Sequence, residues 1–134
     1  MFALDTNTVI HFFKGAGEVA EHLLSVPPAE VAVPSIVVFE LRTGVLKSAA
    51  PEARKAQLDT FLASTTVLGF ERAEADAAAS VRRMLESQGV PIGPFDTLIA
   101  GTALANGATL VTRNVREFRR VDGLEVVSWY GDLR

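Results

Sequence analysis

The chain has 134 residues, 49% of them hydrophobic, with no cysteine and a formal net charge of −3. That length suits a single domain spanning residues 1–134, with a core large enough to need no staples. The absence of cysteine excludes a disulfide framework and thiolate metal ligands, and it suits a reducing cytosol.

Apolar runs such as Ile36-Val37-Val38-Phe39 fall far short of the roughly 20 residues needed to cross a bilayer, so no membrane association is expected. Met1-Phe2-Ala3-Leu4 leads straight to a charge, without a basic region or a small-residue cleavage site. No signal peptide is expected there, and the expected location is the cytoplasm.

Phe2-Ala3-Leu4 reads as a short buried strand. A helix from about Thr6 to Phe13 follows and ends at Lys14-Gly15; a second spans Gly17 to Ser25 and stops at Pro27-Pro28. Val31-Ala32-Val33 reads as the next strand. Pro34-Ser35 opens a helix to about Ser48, since proline is tolerated in a first turn. Pro51 starts another helix, with Leu58, Phe61 and Leu62 at the spacing of a buried stripe.

Thr66–Phe70 reads as a strand. The alanine-rich stretch from Arg72 to Gln88 reads as a helix with Ala77, Val81, Met84 and Leu85 on one face and Gly89 as its stop. Pro94 introduces a helix through Leu104 that is apolar nearly all round and so expected to be buried. Thr109–Val111 and Glu125–Val127 are the last strands. Short apolar strands alternating with helices predict an α/β domain: a central, mainly parallel β-sheet flanked by α-helices. Sites in such sheets form at the carboxyl ends of strands, where strand order reverses.

Three acids stand out on that frame. Asp5 follows the first strand, as a helix N-cap or as a functional carboxylate. Glu40 lies inside Ile36–Leu41, among residues that want burial. A carboxylate there needs a metal or a partner, and Arg42 and Lys47 lack the favourable helical spacing. Asp96 follows Gly93-Pro94-Phe95 at the start of the most apolar helix, again as a cap or as a side chain aimed into a cleft. If the three converge, their repulsion calls for a cation. Oxygen ligands without Cys or suitably placed His suit Mg²⁺, with Mn²⁺ as the substitute, rather than zinc. His11 and His22 read as ordinary side chains.

Arg113, Arg116, Arg119 and Arg120 fall within eight residues, offset only by Glu117. Such a cluster reads either as a phosphate-binding patch or as a solvated helix end. Phe12, Phe13, Leu23 and Leu24 read either as core or as a surface for a partner.

Four blocks together resemble the VapC toxins, which are PIN-domain ribonucleases. They are Leu4-Asp5-Thr6-Asn7-Thr8-Val9-Ile10; Val33-Pro34-Ser35 through Phe39-Glu40-Leu41 and Gly44; Gly93-Pro94-Phe95-Asp96-Thr97-Leu98-Ile99-Ala100-Gly101; and Leu110-Val111-Thr112-Arg113-Asn114-Val115-Arg116-Glu117-Phe118, followed by Val121, Gly123-Leu124 and Trp129. They occur in the family's order and intervals.

The resemblance implies a PIN fold whose Asp5, Glu40 and Asp96 bind Mg²⁺ and catalyse endonucleolytic cleavage of RNA. The pairing of the last two blocks looks most like the subgroup that cuts initiator tRNA in its anticodon loop. Where many PIN nucleases carry a fourth acid, this chain has Asn114. Asn114 then reads as an outer-shell residue, Glu117 either as a supplementary acid supplying the missing charge or as a solvent-facing side chain, and Arg113 and Arg116 as candidates to contact RNA phosphates. It also implies a homodimer and a VapB-type antitoxin, with promoter DNA bound only through the antitoxin complex.

Rival readings are a phosphatase of the haloacid dehalogenase type, a broad-specificity RNase, and a non-catalytic PIN-fold module working in a repressor complex. The first is disfavoured by Asn7, which stands where those phosphatases have a second aspartate.

Overall fold

A computed structural model describes residues 1–15 and 17–131; position 16 and positions 132–134 of the expected 1–134 domain lie outside the described residues. The strands are β1 (Phe2–Leu4), β2 (Val31–Pro34), β3 (Thr66–Leu68), β4 (Thr109–Val111) and β5 (Val126–Val127). Seven α-helices lie among the described residues: α1 (Thr6–Phe13), α2 (Gly17–Ser25), α3 (Ser35–Lys47), α4 (Pro51–Ala63), α5 (Arg72–Ser87), α6 (Pro94–Ala105) and α7 (Val115–Phe118).

All strand pairings are parallel, in the order β3-β2-β1-β4-β5. The chain thus steps outward from β1 to β3 and then returns to the far side of β1 for β4. Parallel crossovers are right-handed, so reversing the direction of travel moves the connecting helices to the other face of the sheet. The reversal leaves a crevice between the carboxyl ends of β1 and β4, where the register pairs Leu4 with Val111.

The central strands are buried because helices cover them: Ala3, Leu4, Ala32, Val33, Leu110 and Val111 are all inaccessible to solvent. Helices contribute apolar pairs one turn apart, Val19 with Leu23 on α2 and Val37 with Leu41 on α3. The α5–α6 contact is the tightest: a Cβ built on Gly101 would stand 2.6 Å from the N, Cα and Cβ of Ala78. Glycine at 101 is what allows α6 to lie against the backbone of α5.

Several element boundaries and faces differ from the sequence expectation. Pro34 closes β2 and precedes α3 rather than sitting inside its first turn. The third strand ends at Leu68, two residues early, on the edge of the sheet. On α5 the buried positions are Ala78, Val81 and Leu85, with Ala77 and Met84 at their border.

Two short elements were not foreseen, the 3₁₀ turn Pro28–Glu30 and α7, which takes up the middle of the arginine cluster. Of the early apolar residues, Leu23 is core, Phe12 and Phe13 pack on Phe61, and Leu24 is 77% exposed. Among the described residues no helix is long and apolar enough to cross a membrane.

Candidate active site

Asp5 stands one residue beyond β1, its backbone N–H donating to Val111 O at the end of β4 (3.2 Å). It is the N-cap of α1, so the capping role expected of it is real. Its Oδ1 accepts from Thr8 N (2.9 Å) and Thr8 Oγ1 (2.6 Å), and its Oδ2 accepts from Thr112 Oγ1 (2.5 Å). A simple cap needs only the first of these. The other two come from hydroxyls with no solvent exposure, around a carboxyl that is itself 8% exposed.

Burial pushes the Asp5 carboxyl above its ordinary value. The hydrogen bonds from Thr112 and Thr8 oppose that rise, and the nearby charge of Glu40 adds to it.

Thr112 follows β4, and its hydroxyl also accepts from Asn114 N (3.0 Å). Thr8 has one hydroxyl proton and two acceptors in range, Asp5 Oδ1 at 2.6 Å and Val111 O at 3.3 Å; the carboxylate, closer and charged, takes it. Tyr130, 122 residues away, donates its phenol to Thr8 Oγ1 (3.1 Å).

Glu40 lies on α3, half-buried, and accepts from Thr6 Oγ1 (2.6 Å) at the start of α1. The salt-bridge alternative fails, because Arg42 turns to Asp59 on α4 instead (2.6 Å). Asp96 sits in the first turn of α6 but does not cap it. The N-cap is Gly93, and no side chain makes the capping bond.

A helix N-terminus favours an anion, yet the Asp96 carboxyl is pushed up to about 6. Burial contributes most, followed by the charges of Asp5, Glu117 and Glu40. Asp5, Glu40 and Asp96 therefore share one electrostatic site, at the crevice where strand order reverses.

The Asn114 side chain is exposed and makes no capping bond, and this residue reaches the site through its backbone N–H on Thr112. Glu117, half-buried on α7, raises Asp96 more than Glu40 does. Arg113 and Arg116 are exposed beside them, and the Arg113 guanidinium lies 5.4 Å from the Tyr130 ring centroid. Phe39 and Phe95, each one residue before an acid of the site, meet edge to face at 5.7 Å.

Sequence reasoning missed Thr6, Thr8, Thr112 and Tyr130 as site residues. Three are threonines inside the recognised blocks, and no local pattern marks a hydroxyl whose acceptor is 107 residues distant.

None of the four acids has a Lys, Arg or His ion-pair partner among the described residues, whereas Asp59 pairs with Arg42 and Lys55 and Glu86 pairs with Arg82. Nor does any group of three or more His, Cys, Asp or Glu side chains among the described residues stand close enough together to hold a metal ion as it is. The donor set is hard and anionic, without an ion-pair partner among the described residues, which fits a divalent cation that keeps several of its waters and takes only a few carboxylates from the protein.

Comparison with known proteins places these observations in a family. The PIN domain family matches residues 2–124. Over 128 residues the chain is 35% identical to the tRNA(fMet)-specific endonuclease VapC of Salmonella typhimurium, covering 96% of this chain and 97% of that protein. It is 36% identical, with the same coverage, to the protein of that name from Shigella flexneri. The crystal structure of VapBC2 from Rickettsia felis bound to a DNA fragment from its promoter contains a chain that superposes with a TM-score of 0.88. The two are 34% identical, covering 96% of this chain and 98% of that one.

Proposed function

The chain belongs to the PIN-domain family and, within it, to the VapC ribonucleases, and from that premise we propose that it is the toxin of a VapBC toxin–antitoxin pair, a Mg²⁺-dependent endoribonuclease that cuts initiator tRNA in the anticodon loop. The observation that carries this reading is the electrostatic coupling of Asp96 to Asp5, Glu117 and Glu40, which with burial pushes its carboxyl up to about 6, while none of these acids has a Lys, Arg or His ion-pair partner among the described residues. The identities to two tRNA(fMet)-specific endonucleases support the substrate.

Asp5, Glu40 and Asp96 are the residues assigned to hold Mg²⁺ or Mn²⁺, with Glu117 as the supplementary acid. When bound, such an ion supplies an activated water and neutralises phosphate oxygens. The protein's own work is positioning. Thr8 and Thr112 fix both oxygens of Asp5, and Thr6 fixes one oxygen of Glu40. Without a cation, burial and the neighbouring acids push the Asp96 carboxyl up to about 6, and a bound divalent ion would favour its ionised form. Arg113 and Arg116 are the residues assigned to contact RNA phosphates, which a guanidinium can grip bidentately.

A VapB-type antitoxin is the proposed partner, as in the VapBC2 complex of Rickettsia felis. A cavity of about 290 Å³ between α1, α3 and α4 is lined by Ile10, Phe13, Leu41, Val45 and Leu58 and reaches Glu40. An antitoxin segment with apolar side chains and an arginine suits it, since the cation would meet the acids. A homodimer that touches promoter DNA only through the antitoxin completes the proposal.

The test is cleavage of purified initiator and elongator tRNAs by antitoxin-free protein, with Mg²⁺ and with EDTA, alongside Asp5→Asn and Asp96→Asn. The expected result is metal-dependent cutting of initiator tRNA alone, lost in both variants while their folds persist. Cutting of both tRNAs would overturn the specificity. Undiminished cutting by both variants would overturn the assigned site.

A further inference from the structure

We propose that Tyr130 is a positioning residue with two separable duties: its hydroxyl holds the Thr8 proton on Asp5, and its ring holds Arg113 at the edge of the same site. The inference rests on the ribonuclease reading for what Asp5 and Arg113 do, but its geometry is independent of that reading.

The hydroxyl argument is one of proton counting. Thr8 Oγ1 has one proton to give, and Val111 O at 3.3 Å competes with Asp5 Oδ1 at 2.6 Å. The Tyr130 hydroxyl donates into the Thr8 oxygen at 3.1 Å. A hydroxyl that accepts one bond is polarised to donate its own more strongly. The chain Tyr130 to Thr8 to Asp5 runs through residues 8%, 0% and 8% exposed, so water does not compete for its links.

The ring argument is separate. The Arg113 guanidinium lies 5.4 Å from the ring centroid, within cation–π range, and His11 packs on the same ring at 4.9 Å. Arg113 directly follows Thr112, the other donor to Asp5. Holding its long side chain against an aromatic face lowers the entropy it loses on gripping a phosphate.

Tyr130 is held in turn by its neighbours. Trp129, 5% exposed, packs on Phe2 (5.2 Å) and stacks on His22 (5.7 Å, 8° between planes). Gly131, the next residue, has φ +52°, a conformation that side chains disfavour.

The two duties separate by substitution. Tyr130→Phe keeps the ring and removes the hydroxyl; Tyr130→Leu removes both. Three properties of the full chain are read: Mn²⁺ affinity by calorimetry, the salt dependence of RNA binding in EDTA, and kcat. Tyr130→Phe is expected to lose about tenfold in Mn²⁺ affinity and to lose kcat with it, as when a partner behind a metal ligand is removed, while its salt slope stays that of wild type. Tyr130→Leu is expected to show the same loss and a salt slope shallower by roughly 0.7, one phosphate contact to a single strand.

Wild-type Mn²⁺ affinity and kcat in Tyr130→Phe would overturn the hydroxyl's role. In the folded wild type, the Arg113 side-chain protons are expected to show an upfield ring-current shift by NMR. The absence of that shift would overturn the ring's role even if Tyr130→Leu fails to fold. A wild-type chain that neither binds Mn²⁺ nor cuts RNA would instead count against the ribonuclease reading.

Discussion

The Thr112 hydroxyl donates to Asp5 Oδ2 at 2.5 Å across 107 residues of sequence, joining the ends of the two central strands at the point where strand order reverses. Thr112 and the Asp5 carboxyl are both buried, so the bond is charge-assisted and sheltered from water. Thr112→Val keeps the shape and removes the donor, and it also strips Asn114 N–H of its acceptor. The expected cost is about 2 kcal/mol of stability, the range for a hydrogen bond to a charged group, together with weaker Mn²⁺ binding. Urea denaturation in EDTA and a Mn²⁺ titration check both. Wild-type values in each would mean that the bond is incidental.

The pH dependence of stability should carry the signature of Asp96. Its carboxyl is pushed from 3.8 up to about 6, first by burial and then by Asp5, Glu117 and Glu40. Between those two values the folded protein keeps a proton that the unfolded chain has released. Metal-free protein therefore loses stability as pH rises from about 4 to about 6, and the loss levels off above that. Asp5, also raised by burial, acts in the same direction. Asp96→Asn should flatten the profile and, in EDTA at pH 7, exceed wild type in stability. An unaltered slope in urea melts of Asp96→Asn across pH 4 to 7 would show that the carboxyl is not strained as described.

Glu117 and Asn114 should respond differently to substitution. Glu117 acts electrostatically on Asp96, whereas Asn114 contributes its backbone N–H, which any replacement but proline retains. Glu117→Gln is expected to weaken Mn²⁺ binding about tenfold, as for an outer partner of the ligands, and to lower the Asp96 pKa. Asn114→Ala is expected to leave both essentially unaltered. Calorimetry with NMR titration of the Asp96 carboxyl would read both, and the reverse pattern would transfer the fourth role to Asn114.

Gly101→Ala sets helix propensity against packing. Alanine in a helix interior gains about 1 kcal/mol over glycine. Here the new Cβ would stand 2.6 Å from backbone atoms of Ala78, which cannot rotate aside. Forcing α5 and α6 apart costs about 1–3 kcal/mol, so a net loss is expected in chemical denaturation. A more stable variant would show that the two helices separate freely.

Much of this protein was legible locally. Pro27-Pro28, Pro51, Gly89 and Pro94 punctuate the chain, and apolar spacing between them identifies its helices and central strands, because helix stops and buried faces are properties of neighbouring residues. The identities of Asp5, Glu40 and Asp96 were also legible, since an acid after a strand or inside an apolar helix is conspicuous.

Tertiary structure alone decided which groups meet. The order β3-β2-β1-β4-β5, the turn of Arg42 toward Asp59 rather than Glu40, and the proximity of Glu117 to Asp96 all depend on how helices dock. Thr112 and Tyr130 reach the Asp5–Thr8 cap across 107 and 122 residues. A threonine or tyrosine looks the same in sequence whether it faces water or a buried carboxylate. Only the packed sheet repays the entropy of closing such long loops, and so only the fold selects those partners.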